Sequence, residues 1–355
     1  MLGVLLPAAA HAGQARIAYF DTELSRDGPG LLLRDIRAGD DPQVTAVAGV
    51  IAAAEPDILV LSGIDHDADL CTLSALADAV AEAGHEMPHH FALASNAGLT
   101  TGLDLDGDNR LGTPRDAQGY GRFAGAGGLA VLSRWPADRT GVVDFSTLLW
   151  SDLPGADPPP WPDPAVERVQ RLSSTAHWVV PVALPAGPRL HLLTFRATPP
   201  VFDGPEDRNG RRNHDEIALW LRYLDGALEA PPPDSPFVIL GGANLDPRDG
   251  EGRRGALAAL LADPRVQDTE PASQGGAVAA LRDGGVNSGH RSPPRLDTVD
   301  WSDEGGPGNL RVDYVLPSVD LAVADSGVLW PKSGGLARLS ARASRHRLVW
   351  VDVGY

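Results

Sequence analysis

The stretch from Phe237 to Pro247 joins a predicted buried strand to side chains that can do chemistry. Its sequence, FVILGGANLDP, starts with four apolar residues and turns polar at Asn244 and Asp246. Strands of α/β proteins commonly open at their carboxyl ends into loops that carry functional groups. The stretch therefore predicts a functional site at the end of a central strand, with Asn244 and Asp246 as its polar side chains.

Three other charged side chains follow predicted strands. Asp21 directly follows an apolar strand, and its carboxylate could ligate a hard cation. Asp65 follows a second buried strand and is a further candidate ligand, although its acidic surroundings also fit a solvated loop. Arg196 ends a later strand, and a guanidinium group can hold a phosphate with two parallel hydrogen bonds.

A separate acidic loop predicts either a calcium site or a polar surface loop. Asp104, Asp106 and Asp108 alternate along it, and Gly107 allows a sharp turn. Calcium prefers several oxygen ligands from a tight bend, so this spacing is suitable. The Glu that would close a full EF-hand loop is missing, and so are the flanking helices. Both interpretations stay open.

These groups must be positioned by strands and helices that alternate along the chain. Apolar runs predict the strands, and Ala-rich runs predict helices that can pack closely on a sheet. The segments Arg171–Val182 and Arg189–Phe195 predict two strands that lie next to each other. The main predicted strands and helices are Arg16–Phe20, Val44–Ala54, Pro56–Leu61, Leu73–Ala83, Gly128–Pro136, Arg171–Val182, Arg189–Phe195, Ile217–Leu228, Phe237–Leu240, Arg253–Leu261 and Gly308–Ser318.

Several of these segments together resemble the endonuclease/exonuclease/phosphatase superfamily, the metal-dependent phosphoesterases that include the deoxyribonuclease-I-like enzymes. The similar motifs are PDILVL from Pro56, GLAVLSRWP from Gly128, RVDYVL from Arg311 and the final SRH at residues 344–346. The resemblance extends from about Arg16 to Asp352. It implies one domain over residues 14–355 with a four-layer α/β/β/α sandwich, in which two mixed sheets pack together and helices cover both outer faces.

The loop Thr198–Glu216 resembles one that is characteristic of a bacterial exported branch of this superfamily. Within it His214 and Asp215 precede the predicted helix, and Asn213 is a candidate N-cap. A functional role and a capping role for His214 both stay open.

By resemblance, some functional positions match the superfamily and others are changed. The matching positions are Asn244, Asp313 and His346. The changed positions are Asp21 in place of an Asn, Gly63 in place of the metal-binding Glu, Arg196 in place of a phosphate-contacting His, Gly242 in place of the catalytic Asp, and Arg345 in place of the last Asp.

These changes favour a catalytically degenerate homologue that binds a phosphoester or another ligand in the old cleft. Glycine supplies no ligand, and Arg345 brings a positive charge where the resemblance expects a cation. The alternative is an active phosphodiesterase or phosphatase that uses Mg2+ or Mn2+ at a site rebuilt from Asp21, Asp65, Asp246, His214 and His346. A third interpretation is an extracellular structural module whose ion site is the acidic loop.

Charge and composition limit the partners. The net charge of -17 disfavours nucleic acid, which needs a basic surface to neutralise phosphates. Cys71 is the single cysteine, so no intrachain disulfide can form. No run of about 18 apolar residues predicts a membrane span. A monomer is expected.

Residues 1–13 resemble the second half of a secretory signal peptide. An apolar run precedes the small-x-small pattern Ala10-His11-Ala12, but no basic segment comes before it. We therefore expect a secreted or periplasmic protein whose start has been placed too far downstream. A frayed apolar tail is the alternative.

Overall fold

The computed structural model describes residues 13–161, 163–185, 187–234 and 236–355. Residues 1–12 of the predicted export segment lie outside the described residues. The strands are β1 Gln14–Asp21, β2 Ile58–Ile64, β3 His89–Phe91, β4 Gly128–Ser133, β5 Val143–Asp144, β6 His177–Ala183, β7 Arg189–Arg196, β8 Phe237–Gly242, β9 Val299–Asp300, β10 Asn309–Leu310, β11 Asp313–Pro317, β12 Ala322–Val328 and β13 Val349–Gly354. The α-helices are α1 Leu31–Ala38, α2 Pro42–Ala54, α3 Cys71–Glu82, α4 Pro164–Glu167, α5 Arg208–Leu224, α6 Gly255–Leu261, α7 Gln274–Asp283 and α8 Gly335–Ala343.

Two mixed sheets form the centre of the molecule, as the resemblance implied. One has six strands in the order β12-β13-β1-β2-β4-β3, and the other has five in the order β11-β8-β7-β6-β5. The sheets meet where β1 contacts β8 and β11. Helices α2, α3 and α8 pack together over the first sheet, and α5 and α6 pack together over the second.

The alternation of side chains along β8 shows how one strand serves two layers. Val238 and Leu240 belong to the core that is shared with the first sheet, whereas Phe237 and Ile239 belong to the core beneath α5 and α6. Successive side chains of a strand point to opposite faces, so an unbroken apolar run is what a strand covered on both faces requires.

Each sheet contains one parallel pair, and this arrangement positions the site. β1 runs parallel to β2, with Asp21 opposite Ser62, and β7 runs parallel to β8, with Arg196 opposite Gly242. Antiparallel β11 then brings its first residue, Asp313, next to Gly242. The carboxyl ends of two parallel pairs therefore lie at one edge of the sandwich.

The start of α5 differs from the sequence-based prediction. The helix begins at Arg208, after the left-handed Asp207, so Asn213 is not its N-cap and His214 lies within the helix. Its first three turns contain polar side chains that are nonetheless buried, among them Arg212, Asn213 and Glu216. A search for apolar periodicity could not detect this part of the helix, because hydrogen bonds hold it in place.

Candidate functional site

A buried ion pair joins the two sheets at this edge. Arg196 donates from Nε to Oδ2 of Asp21 over 2.8 Å, and the Asp21 side chain is fully buried. Burial alone would raise the pKa of Asp21, but the charges of Arg196 and His346 outweigh it and lower this pKa to about 2. Burial lowers the pKa of Arg196 and the Asp21 carboxylate raises it, with a net upward shift. Both groups are therefore charged at neutral pH.

A second buried pair lies beside the first. Nδ1 of His346 is 2.7 Å from Oδ2 of Asp313, and the edge of Trp301 packs against the imidazole ring. Burial would lower the pKa of His346, but the negative charges of Asp313 and Asp21 raise it above its ordinary value. Nδ1 then donates to Asp313. Asp313 and His346, which match the superfamily motifs near the end of the sequence, are therefore in direct contact.

Arg345 turns towards Glu23 instead of Asp21. Its side chain forms an ion pair with Glu23, and its backbone N–H donates to Glu23 Oε2 over 2.8 Å. Ser344 Oγ donates to the backbone oxygen of Asp21 over 2.8 Å, which ties the last motif to the end of β1. The positive charge predicted to repel a cation is therefore neutralised at the rim of the site.

Neighbouring groups occupy the space around the two glycines that replace acidic residues. A Cβ atom on Gly63 would lie 2.6 Å from Asp21 Oδ1 and 2.7 Å from the Glu23 nitrogen, and its φ of 73° disfavours any side chain. A Cβ atom on Gly242 would lie 2.7 Å from the Tyr19 hydroxyl. That hydroxyl is hydrogen-bonded to Ser62 Oγ over 2.6 Å. Neither position has room for a side chain unless its surroundings shift.

The candidate ligands Asp65 and Asp246 hold loops in place. Asp65 accepts hydrogen bonds from the backbone of Arg26 and Gly127, over 3.0 and 3.1 Å. Asp246 accepts from the backbone of Arg311 over 2.9 Å and from the turn that follows it. The structure does not bring Asp21, Asp65 and Asp246 together, because backbone N–H groups use the oxygens of the last two.

Two further candidates make local contacts. His214 Nδ1 is 2.9 Å from Oδ1 of its neighbour Asp215, which also accepts from Trp150 Nε1. Asn244 has a left-handed backbone and donates from Nδ2 to the Ala197 oxygen over 2.7 Å. That bond fastens the turn after β8 to the end of β7.

The acidic loop does gather its carboxylates. One ligand atom from each of Asp104, Asp106 and Asp108 lies within 4.8 Å of the other two, and this is the one such acidic or histidine group in the described part of the chain. Asp104 also accepts from the backbone of Gly107 and Asn109, at 2.7 Å each. The loop could hold a cation, but these bonds also account for its shape.

A cleft of about 1050 Å³ opens beside the ion pair, with Asp21, Glu23, Gly63 and Arg196 in its lining. His346 and Asp313, which are only 3% and 1% exposed, do not contribute to that lining among the described residues. Loops around residues 97–127 and 198–209 form the walls. Asp106 and Asp108 line the same cleft.

Sequence analysis missed two aromatic residues that line the cleft. Tyr120 is 70% exposed and Phe202 is 79% exposed. Each stands in a polar, Gly- and Pro-rich loop, where a large apolar side chain has no core to join. That contrast between residue and surroundings was the available signal.

The profile of the Endonuclease/Exonuclease/phosphatase family matches residues 31–346 of this sequence. The chain belongs to the endonuclease/exonuclease/phosphatase family. A search of curated proteins found no match.

Solved structures of family members confirm the fold. An endonuclease/exonuclease/phosphatase from Beutenbergia cavernae is 17% identical with a TM-score of 0.56, over 96% of this chain and 71% of that one. A family protein from Leptotrichia buccalis is 14% identical with a TM-score of 0.52, over 96% and 100%. A mannosyl-6-phosphatase from Bacteroides thetaiotaomicron is 13% identical with a TM-score of 0.51, over 96% and 100%. At these identities the likeness extends to the fold alone.

The residues present at this edge do not fit the divalent metal on which the family usually depends. Arg196 already holds one oxygen of Asp21, and no side chain is available at Gly63 or Gly242. The charges of Asp21 and Arg196 cancel, so a divalent ion would add two positive charges beside the Arg196 guanidinium group. We therefore derive no chemical step that uses a metal here.

Proposed function

We propose that this family member has lost metal-dependent hydrolysis and binds a phosphoester or a similar small anion in the cleft. The observation that carries the proposal is the buried Asp21–Arg196 ion pair. It places a permanently charged guanidinium group against the buried Asp21 carboxylate, which could otherwise have held a cation. Arg196 and the cation would compete for the same oxygen atoms.

The loss of several groups that act together supports the absence of hydrolysis. Metal-assisted attack on a phosphoester needs carboxylates around the cation and a group that positions water. Removal of one such group commonly costs a hundredfold or more in rate, and groups that act as a unit fail together. His346 is also buried away from the cleft lining, so it cannot contact a bound phosphate without rearrangement.

Arg196 supports a role in binding. Its Nε is used by Asp21, but neither terminal nitrogen donates a hydrogen bond within the described ranges, and the side chain is 27% exposed at the cleft. Two N–H groups that point in parallel suit the oxygens of a phosphate. The cleft lining contains six arginines beside seven acidic residues in a protein of net charge -17, and the arginines are Arg26, Arg115, Arg122, Arg196, Arg208 and Arg212.

A working phosphoesterase is the second candidate, and the retained His346–Asp313 pair favours it. A hydrolase could use this pair if the surrounding loops opened to admit water and a cation. Such an enzyme would turn over an activated phosphodiester in the presence of Mg2+, Mn2+ or Ca2+, and replacement of His346 would abolish that turnover.

Hydrolysis of bis-p-nitrophenyl phosphate with each of these metals separates the two candidates. We expect no turnover above the buffer rate from the parent, from His346→Ala or from the back-substitution Gly242→Asp. The last variant should also lose about 1–3 kcal/mol of stability, because its side chain must displace the Tyr19 hydroxyl. Metal-dependent turnover that His346→Ala removes would contradict the proposal.

Binding is tested in parallel by calorimetry with inorganic phosphate. Arg196→Gln should weaken phosphate binding about tenfold or more, because a charge-assisted hydrogen bond contributes roughly 1.5–3 kcal/mol. Arg134→Gln is the matched control, since Arg134 is exposed, is paired with Asp57 and does not line the cleft. Equal phosphate affinity in both variants would argue against the cleft as the anion site.

A further inference from the structure

Phe202 has neither a packing reason nor a backbone reason to be where it is. It is 79% exposed, so it contributes little to the core. Its φ of 71° lies in the left-handed region, which bulky residues rarely adopt and which persists mainly where function requires it. Glycine would suit this backbone better and would expose no apolar ring. A contact with a ligand would explain both features.

The loop that carries Phe202 is held firmly on both sides of that residue. Asn209, in the first turn of α5, donates from Nδ2 to the Val201 oxygen over 2.7 Å and from its backbone to the Asp203 carboxylate. Thr198 is fastened through its backbone N–H to the buried Glu216 over 2.6 Å. The ring is therefore presented from a fixed backbone, which reduces the entropy lost when a ligand binds.

Tyr120 is presented in a similar way from the loop of residues 97–127. Its neighbours Gly119 and Gly121 lie so close to the backbone of Ser174 and Gly98 that a Cβ atom at either position would collide with it. Gly119 accepts a hydrogen bond from the Gly98 N–H over 2.8 Å. The Tyr120 ring is 70% exposed, and its hydroxyl makes no hydrogen bond within the described residues.

Both rings line the cleft that contains the free nitrogens of Arg196. Building on the proposed function, we propose that the cleft takes a small ligand in which one phosphate-like anion is joined to a flat aromatic ring. The anion binds Arg196, and the ring packs against Phe202 and Tyr120. Aromatic rings attract one another through edge and offset contacts as well as through the area they bury.

The test compares phenyl phosphate with methyl phosphate by calorimetry, with any turnover followed in the same samples. Each ring contact should strengthen binding about two- to tenfold. We therefore expect the parent to bind phenyl phosphate at least about fivefold more tightly than methyl phosphate. Phe202→Gly and Tyr120→Ala should each reduce this preference, mainly through weaker binding of phenyl phosphate. Phe202→Gly should unfold at the parent temperature or above it, because it relieves the left-handed backbone.

Leu281→Ala is the control, since Leu281 is 86% exposed on α7 and lies outside the cleft lining. Equal affinity of the parent for the two esters would overturn the inference. If methyl phosphate still binds and its binding depends on Arg196, the proposed function is retained. If neither ester binds, the proposed function fails as well. The rings could instead attach the protein to a lipid surface. In that case the parent would bind phosphatidylcholine vesicles, both aromatic variants would abolish that binding, and phenyl phosphate would not be preferred. This result would also overturn the inference.

Discussion

Asp21 is buried between the two sheets, yet its carboxylate is charged because Arg196 and His346 surround it. Its pKa in the folded protein is about 2, below the ordinary value of 3.8. A carboxyl group with a depressed pKa stabilises the fold above its unfolded pKa, and this contribution is lost as the pH falls through the folded value. The ion pair should therefore stabilise the protein at neutral pH and fail between about pH 4 and pH 2.

Asp21→Asn tests this expectation. At pH 7 the variant should lose about 2 kcal/mol or more of unfolding free energy, from the pKa shift and the unpaired charge of Arg196. The difference between parent and variant should shrink as the pH falls from 4 towards 2. Urea unfolding at several pH values measures it. A difference that does not change with pH would show that the carboxylate charge does not contribute.

At the scale of elements, loops around the site are fastened by buried carboxylates. Asp65 joins the loop after β1 to the segment before β4, through hydrogen bonds from Ser25, Arg26 and Gly127. Glu216 does the same between α5 and the segments at Ser174 and Thr198. These carboxylates therefore stabilise the cleft walls through hydrogen bonds to the backbone.

Replacement of Asp65 distinguishes a structural role from metal binding. Asp65→Ala should lower the unfolding free energy by about 2–3 kcal/mol, because buried N–H groups lose a charged acceptor. Asp69→Ala, at an exposed acidic position in the same segment, should change little. The unfolding temperatures of the parent and of Asp65→Ala are then compared with and without Mg2+ at about 5 mM, a large excess over the protein. Stabilisation by Mg2+ in the parent but not in Asp65→Ala would indicate that Asp65 is a ligand.

The elements that sequence analysis predicted well are those with apolar patterns. β1, β2, β8 and α2 were predicted nearly in place, and the adjacent pair β6 and β7 is confirmed. The start of α5 was wrong, because buried polar side chains hold that part of the helix and an apolar pattern is absent.

The site was predicted in part, for a related reason. Asp313 and His346 match the superfamily motifs by resemblance, and the structure brings them into contact. The Asp21–Arg196 pair could not be predicted, because the two residues are 175 positions apart and meet only when the sheets pack. Asp65 and Asp246 resembled ligands because a sequence does not show which backbone N–H groups will reach a carboxylate.

For the molecule as a whole, the proposed function predicts a loss of the metal dependence that is usual in the family. Among the described residues no helix is both long and apolar enough to cross a bilayer. Within the part of the chain that the structure describes, the one gathered acidic group is the loop of Asp104, Asp106 and Asp108, at the side of the cleft.

Thermal unfolding in the presence of metals examines this property. A ligand that binds only the folded state raises the unfolding temperature. We expect Mg2+ and Mn2+ to leave the unfolding temperature unchanged within about 1 °C relative to EDTA. A clear rise with either metal would indicate a metal site in the folded protein and would contradict the proposed loss of metal binding at Asp21. Stabilisation by Ca2+ that Asp106→Asn and Asp108→Asn remove would assign a calcium site to the acidic loop. Stabilisation by Ca2+ that survives both changes would exclude that assignment.

The Tyr19 hydroxyl beside Gly242 bears on how this protein can evolve. An acidic side chain restored at Gly242 collides with it, and one restored at Gly63 meets Asp21 and the backbone of Glu23. Each single reversion therefore harms the fold before any catalytic benefit can appear. Under the proposed function, recovery of hydrolysis would require several mutations at once, none of them advantageous alone. Selection acting one step at a time would then refine what this cleft binds far more easily than it would restore catalysis.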